Sequence, residues 1–120
     1  MTTDYTGQLR LGLWGRFRLV DANGVSLAPK SAKAQALIAM VATSDTGSRG
    51  RLWLQKKLWS ESDRDRASVS LRQALSEVRR ALGPARDLLQ ADRRSVSLNM
   101  DRIAVAARQG DQEFLEGIGL

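Results

Sequence analysis

Between residues 63 and 83 the apolar positions Ala67, Leu71, Ala74, Leu75, Val78 and Leu82 recur at helical spacing. That spacing marks one face of a helix, so it predicts a helix over 63–83 whose stripe is buried against a neighbouring layer. Both ends are signposted. Ser62 and Asp65 stand in capping-box relation, Arg79 and Arg80 occupy the last turn where cations complement the dipole, and Gly83-Pro84 stops the run. The opposite face carries Arg66, Val69, Gln73, Ser76 and Arg80.

Other segments show a different period. Leu9, Leu11 and Leu13 alternate with Arg10, Gly12 and Trp14, and Phe17 and Leu19 alternate with Arg16 and Arg18, which predicts two half-buried strands turning near Gly15. Asn23-Gly24 is a hairpin-type turn signal ahead of a third short strand, Val25 to Leu27. Beyond Pro29, Ser31 caps a first helix with Ala34, Leu37, Ile38 and Val41 on its buried face, and residues 45–48 break it. A second helix is expected from about Arg49 to Trp59, with Ser48 as cap, Leu54, Leu58 and Trp59 inward, and Arg49, Arg51, Lys56 and Lys57 outward. Leu88 to Ala91 and Ser95 to Leu98 predict two short strands joined by Asp92-Arg93-Arg94, a hairpin with two arginines at its tip. The chain then divides into a folded domain over 1–100 and a tail or linker over 101–120. There is no internal repeat and no low-complexity segment.

Charge sharpens this outline. The 120-residue chain carries a formal net charge of +6, which favours an anionic partner. Lys and Arg outnumber Asp and Glu by six to one over residues 30–58 and by seven to three over 66–94, but are outnumbered four to two over 95–120. The basic surface therefore belongs to the middle of the chain. Guanidinium and carboxamide groups on an exposed helical face can make the paired hydrogen bonds that guanine and adenine edges offer in the major groove, while Ser and Arg can hold phosphates. A solvated surface helix would carry many of the same residues. An arginine pair at a hairpin tip, Arg93 and Arg94, is better suited to a minor groove or phosphates than to solvent alone.

Composition also argues against other classes. Cysteine and histidine are absent, so no disulfide framework, thiolate metal site or histidine base is available, and no cofactor is expected. Catalysis would need a serine activated by lysine or a carboxylate pair, and Glu61, Asp63 and Asp65 cluster where helix capping already accounts for them. Gly47-Ser-Arg-Gly50 lacks the spacing of a phosphate-binding loop. The protein is thus not expected to be an enzyme. With aromatics at 5%, a stacking platform for single strands is weakly supported too. The N-terminus lacks a basic leader and the longest apolar run, Ala36 to Ala42, falls far short of a bilayer, so the expectation is a cytoplasmic protein without a membrane partner.

Taken together, an opening antiparallel sheet, three helices and a basic hairpin predict an α+β fold, a winged helix-turn-helix. Several strings resemble the OmpR/PhoB-type winged-helix DNA-binding domain of bacterial transcriptional activators of the antibiotic-regulatory-protein type. They are the run from Leu9 to Leu19, Lys33-Ala-Gln-Ala-Leu-Ile38, Leu58-Trp59, and above all Ala67-Ser-Val-Ser-Leu-Arg-Gln-Ala-Leu-Ser-Glu-Val-Arg-Arg-Ala-Leu-Gly83. The resemblance covers roughly residues 8 to 100. It implies double-stranded DNA as the partner, with helix 63–83 in the major groove and the wing over 88–98 in the minor groove. By motif position it implies base contacts from Val69, Ser70, Gln73 and Glu77, and phosphate or flanking contacts from Arg72, Arg79 and Arg80. Arg49, Arg66 and Ser76 join that second set as exposed groups, and Arg93 and Arg94 are the wing contacts. It further implies that the loop over 60–63 faces RNA polymerase, that two copies form a homodimer on direct-repeat DNA, and that Glu113-Phe-Leu-Glu-Gly-Ile118 leads into a further domain of a longer regulator. The competing expectation is a winged-helix protein-interaction module whose basic face docks an acidic partner, with Glu77 and the acidic tail in its favour.

Overall fold

The computed structural model describes residues 8–106. Strands β1 (Leu9–Gly12) and β2 (Arg18–Val20) pair antiparallel with Leu11 opposite Leu19. Gly15, at φ 69°, takes the left-handed conformation within the turn between them. The segment expected to form a third strand, Val25 to Leu27, makes only one bridge, Val20 to Ser26. The cause is local: the Asp21 carboxylate accepts from the amides of Asn23 (2.8 Å) and Val25 (2.9 Å), taking a donor that a continuing ladder would use. The third member of this sheet comes instead from residues assigned above to the tail. Strand β6 (Ile103–Ala106) lies parallel to β1, Ile103 beside Leu9 and Ala106 beside Gly12.

Helix α1 (Ala32–Ala42) begins where expected, with the Ser31 hydroxyl accepting from the Ala34 amide at 3.1 Å. The next segment departs from expectation. Ser48 does not cap a helix; residues Ser48–Gly50 are strand β3, and helix α2 runs over Arg51–Leu58 with Gly50 at its cap and no side-chain cap bond. Pairing with a later strand, β5 (Ser95–Leu98), outweighs helix propensity over these three residues, and the Ser97 and Ser48 hydroxyls meet across the ladder at 3.1 Å. Helix α3 covers Arg64–Leu82, one residue shorter at each end than expected. Its cap is Asp63, which accepts from the Arg66 amide at 2.8 Å, and not the Ser62/Asp65 box, because the Ser62 amide is already engaged by the Trp59 carbonyl in a turn. Gly83, at φ 57°, closes the helix.

A 3₁₀ segment, Gly83–Leu88, leads into the hairpin of β4 (Leu89–Ala91) and β5 (Ser95–Leu98), and β3 adds to the free side of β5 to give the order β3-β5-β4. The hairpin therefore forms where expected, but as part of a three-stranded sheet. Among the described residues the fold is α+β with three α-helices and two small sheets. One core joins Leu9 and Leu11 of the first sheet, Leu37 and Val41 of α1, Leu54 of α2, Leu71, Leu75 and Val78 of α3, and Val96 of β5. Among the described residues no helix is long and apolar enough to cross a membrane.

Candidate nucleic-acid interface

All six stripe residues of α3 are buried, from Leu71 and Val78 at 0% to Ala74 at 6% exposure, which fixes the helix in rotation. At roughly 100° per residue, Val69, Gln73, Ser76 and Arg80 then form the centre of the outward face, with Arg66 and Arg72 on either side. All six are exposed, Val69 at 43% despite being apolar. Val69, Arg72, Gln73, Ser76, Glu77 and Arg80 line one open depression along the helix. Ser70 and Arg79 lie on opposite flanks and are half-buried. The structure thus brings together most of the residues expected to read bases and hold phosphates, on one side of one helix.

Glu77 and Arg49 depart from that set. The flank of α3 that carries Glu77 faces the start of α1, where Glu77 Oε2 accepts from the Ser31 amide at 2.9 Å and Oε1 accepts from the Ser31 hydroxyl at 2.8 Å. In a capping box the acidic residue three positions after the cap supplies this bond. Here that position is Ala34, and Glu77 supplies it from another helix. The Ser31 amide and hydroxyl hold the Glu77 carboxyl below its ordinary pKa, helped by the Lys30 backbone and Arg80. Glu77 is therefore committed to joining α3 to α1. Arg49, expected as a phosphate contact on helix two, stands on β3. Its Nε donates to the Met40 carbonyl in the last turn of α1 at 3.1 Å, and its guanidinium lies 4.2 Å from the centre of the Trp53 ring. It fastens α1 to α2 instead of standing free.

The hairpin tip meets the helices. Arg93 and Arg94 are exposed, and they share an open groove of about 840 Å³ with Arg51 and Gln55 of α2 and Ser68 of α3. Asp92 lies in the same groove and shapes the tip: its Oδ1 accepts from the amides of Arg94 and Ser95, each at 2.8 Å, and from the Ser95 hydroxyl at 3.3 Å. These bonds, the Arg94 amide foremost, keep the Asp92 carboxyl below its ordinary pKa, with a smaller contribution from the Arg51 charge. Arg51 donates its backbone amide to the Arg94 carbonyl at 2.7 Å and its Nε to the Asp92 carbonyl.

Neither Arg51 nor Asp92 is among the residues expected at the site: in the sequence Arg51 is one of several outward cations and Asp92 a turn residue, distinguished by being an acid at the head of a basic tip. Trp59 is half-buried against the core as expected, and Trp53 is half-buried beneath Arg49 and Lys57. Expected features over 107–120 lie outside the described residues. Among the described residues there is no group of three or more acidic, histidine or cysteine side chains placed to hold a metal ion. Compared with models of known protein families, with curated proteins and with solved structures, the chain has no match.

Proposed function

We propose that this protein is a winged-helix DNA-binding domain of a bacterial transcriptional regulator that binds duplex DNA sequence-specifically. The observation that carries the proposal is the joint placement of two contact elements: the exposed face of α3, with Arg66, Arg72, Gln73, Ser76 and Arg80, and the Arg93-Arg94 tip, which shares a groove with Ser68 of the same helix. A helix of this width fits the major groove, and an arginine tip beside it is placed for the adjacent minor groove. In this reading Gln73 and Val69 face base edges, and Arg66, Arg72, Ser76, Arg79 and Arg80 face phosphates or flanking bases. Ser70, on the flank, reaches only the edge of the contact. The regulator acts in the cytoplasm, needs no cofactor, catalyses no reaction, and works as two copies on direct-repeat sites with the loop over 60–63 turned towards RNA polymerase.

The alternative, a protein-interaction module docking an acidic partner, drew part of its support from a free carboxylate on the outward face. With Glu77 engaged by Ser31, that support falls away, whereas an acidic partner remains compatible with the arginines. Selection from a random duplex library, followed by anisotropy titration of the winning site and a scrambled control over a range of salt, separates the two. Sequence-specific reading gives an enriched motif that outcompetes the control and whose affinity falls log-linearly with salt. Equal weak binding to both duplexes refutes it.

A further inference from the structure

An acidic residue at the head of a basic wing is a liability near phosphates, yet Asp92 sits in the groove with Arg51, Arg93 and Arg94. Its bonds supply a reason. Resting on the DNA-binding reading above, we propose that Asp92 and Arg51 are positioning residues that latch the arginine tip of the hairpin to α2, so that wing and recognition helix meet the duplex as one rigid unit.

The backbone makes this latch possible. Strand β3 runs into α2 without a connecting residue: Gly50 is opposite Ser95 in the β3–β5 ladder, and the next residue, Arg51, is already the first of the helix. Its amide still continues the ladder by donating to the Arg94 carbonyl at 2.7 Å. The Arg51 side chain then reaches across the turn, Nε donating to the Asp92 carbonyl. From the other side, Asp92 Oδ1 takes the Arg94 and Ser95 amides, each at 2.8 Å. The backbone on both sides of Arg93 is thereby held, one side by the helix start and the other by a side-chain turn. A loose charged tip would lose conformational freedom on docking, and a tip ordered beforehand avoids that cost. Arg51 acts here through the position of Nε, three carbons beyond Cα on a planar group, whereas lysine carries its donors one carbon further out on a flexible stem.

The test uses the full chain and the duplex that wins the library selection, with a scrambled duplex as control. Asp92→Asn keeps the Oδ1 acceptor and removes the charge, whereas Asp92→Ala removes both. If Asp92 positions the tip, Asp92→Ala weakens binding about tenfold and lowers the slope of log K against log salt by about 1, one phosphate contact's worth. It also speeds hydrogen exchange of the Arg94 and Ser95 amides in the free protein. Asp92→Asn restores affinity, slope and protection. Arg51→Lys should resemble Asp92→Ala in slope while leaving the melting temperature within a few degrees of the parent. If Asp92 matters only as a charge, Asn and Ala both tighten binding equally, and the latch is overturned. Unchanged exchange in Asp92→Ala overturns it as well. A parent chain that binds no duplex overturns the DNA reading itself, an outcome visible before any variant is made.

Discussion

Replacing Glu77 tests whether its carboxylate serves the fold or a base. Both oxygens are used by Ser31, one from the amide and one from the hydroxyl. Hydrogen bonds to a charged group contribute about 1.5–3 kcal/mol each when their loss leaves a buried partner unsatisfied. Glu77 and Ser31 are both half-buried, so water replaces much of what is lost, and Glu77→Ala should cost about 1–2 kcal/mol in total. For a domain of about a hundred residues each kcal/mol lowers the melting temperature by roughly 4–8 °C. Glu77→Gln retains one carbonyl acceptor and should lose about half as much.

The pH dependence follows from the sign of the pKa shift. The folded-state carboxyl lies below the unfolded value of 4.5, chiefly because of the Ser31 amide. The contribution is therefore fully present above about pH 4.5 and disappears as pH falls through the lower folded value. Urea melts of the parent, Glu77→Gln and Glu77→Ala at neutral pH should show the full difference. The gap between parent and Glu77→Gln should shrink towards zero in acid, where both side chains are neutral. A difference below about 0.3 kcal/mol at neutral pH, or one that does not change with acid, would refute the capping role, since ordinary surface changes fall within about 0.5 kcal/mol. A change of preferred base at a single operator position, with stability untouched, would show instead that Glu77 reads cytosine.

Four other variants have expected outcomes. Gly47→Ala should destabilise by about 2–3 kcal/mol, measured by urea melts, because Gly47 has φ 73° and an added Cβ would lie 2.6 Å from Met100 Cγ and 3.3 Å from the Leu98 carbonyl; a loss under about 0.5 kcal/mol would mean that the hairpin base yields freely. Gln73→Ala should relax base preference at one position of the selected motif by about 1–3 kcal/mol of discrimination, whereas Arg80→Glu should weaken all duplexes alike; library selection with each variant distinguishes these, and an unchanged motif with Gln73→Ala would remove that residue from the base-reading set. Replacing Arg93 and Arg94 together by alanine should lower the salt slope by about 1–2, and anisotropy titrations that show no change of slope would place the tip away from the duplex.

The parts of this interface that could be read from sequence are those set by neighbours three and four residues away. The α3 stripe, its exposed arginines and the two hairpin strands all depend on local period, and they stand where the period put them. Most of the misplacements have a different cause, a partner distant along the chain; the missing third strand and the shifted α3 cap are the local exceptions, set by the Asp21 side chain and the Trp59 turn. Strand β6 pairs in parallel with β1, so no tight turn announces it. Residues 48–50 have the look of a helix start until β5 offers a ladder. Glu77 lies on the border between the buried and outward faces of α3, where periodicity alone cannot say whether a side chain faces solvent or a neighbouring helix. One clue did lie in the chain. Ser31 is a strong cap, yet the position that completes a capping box holds Ala34, leaving the Ser31 amide without its usual carboxylate. A half-built box next to a packed helix calls for an acid from elsewhere, and α3 has only Asp65, at its far first turn, and Glu77 to offer. Read that way, the incomplete cap assigns Glu77 to the fold and leaves the outward face of α3 to arginine, glutamine, serine and Val69.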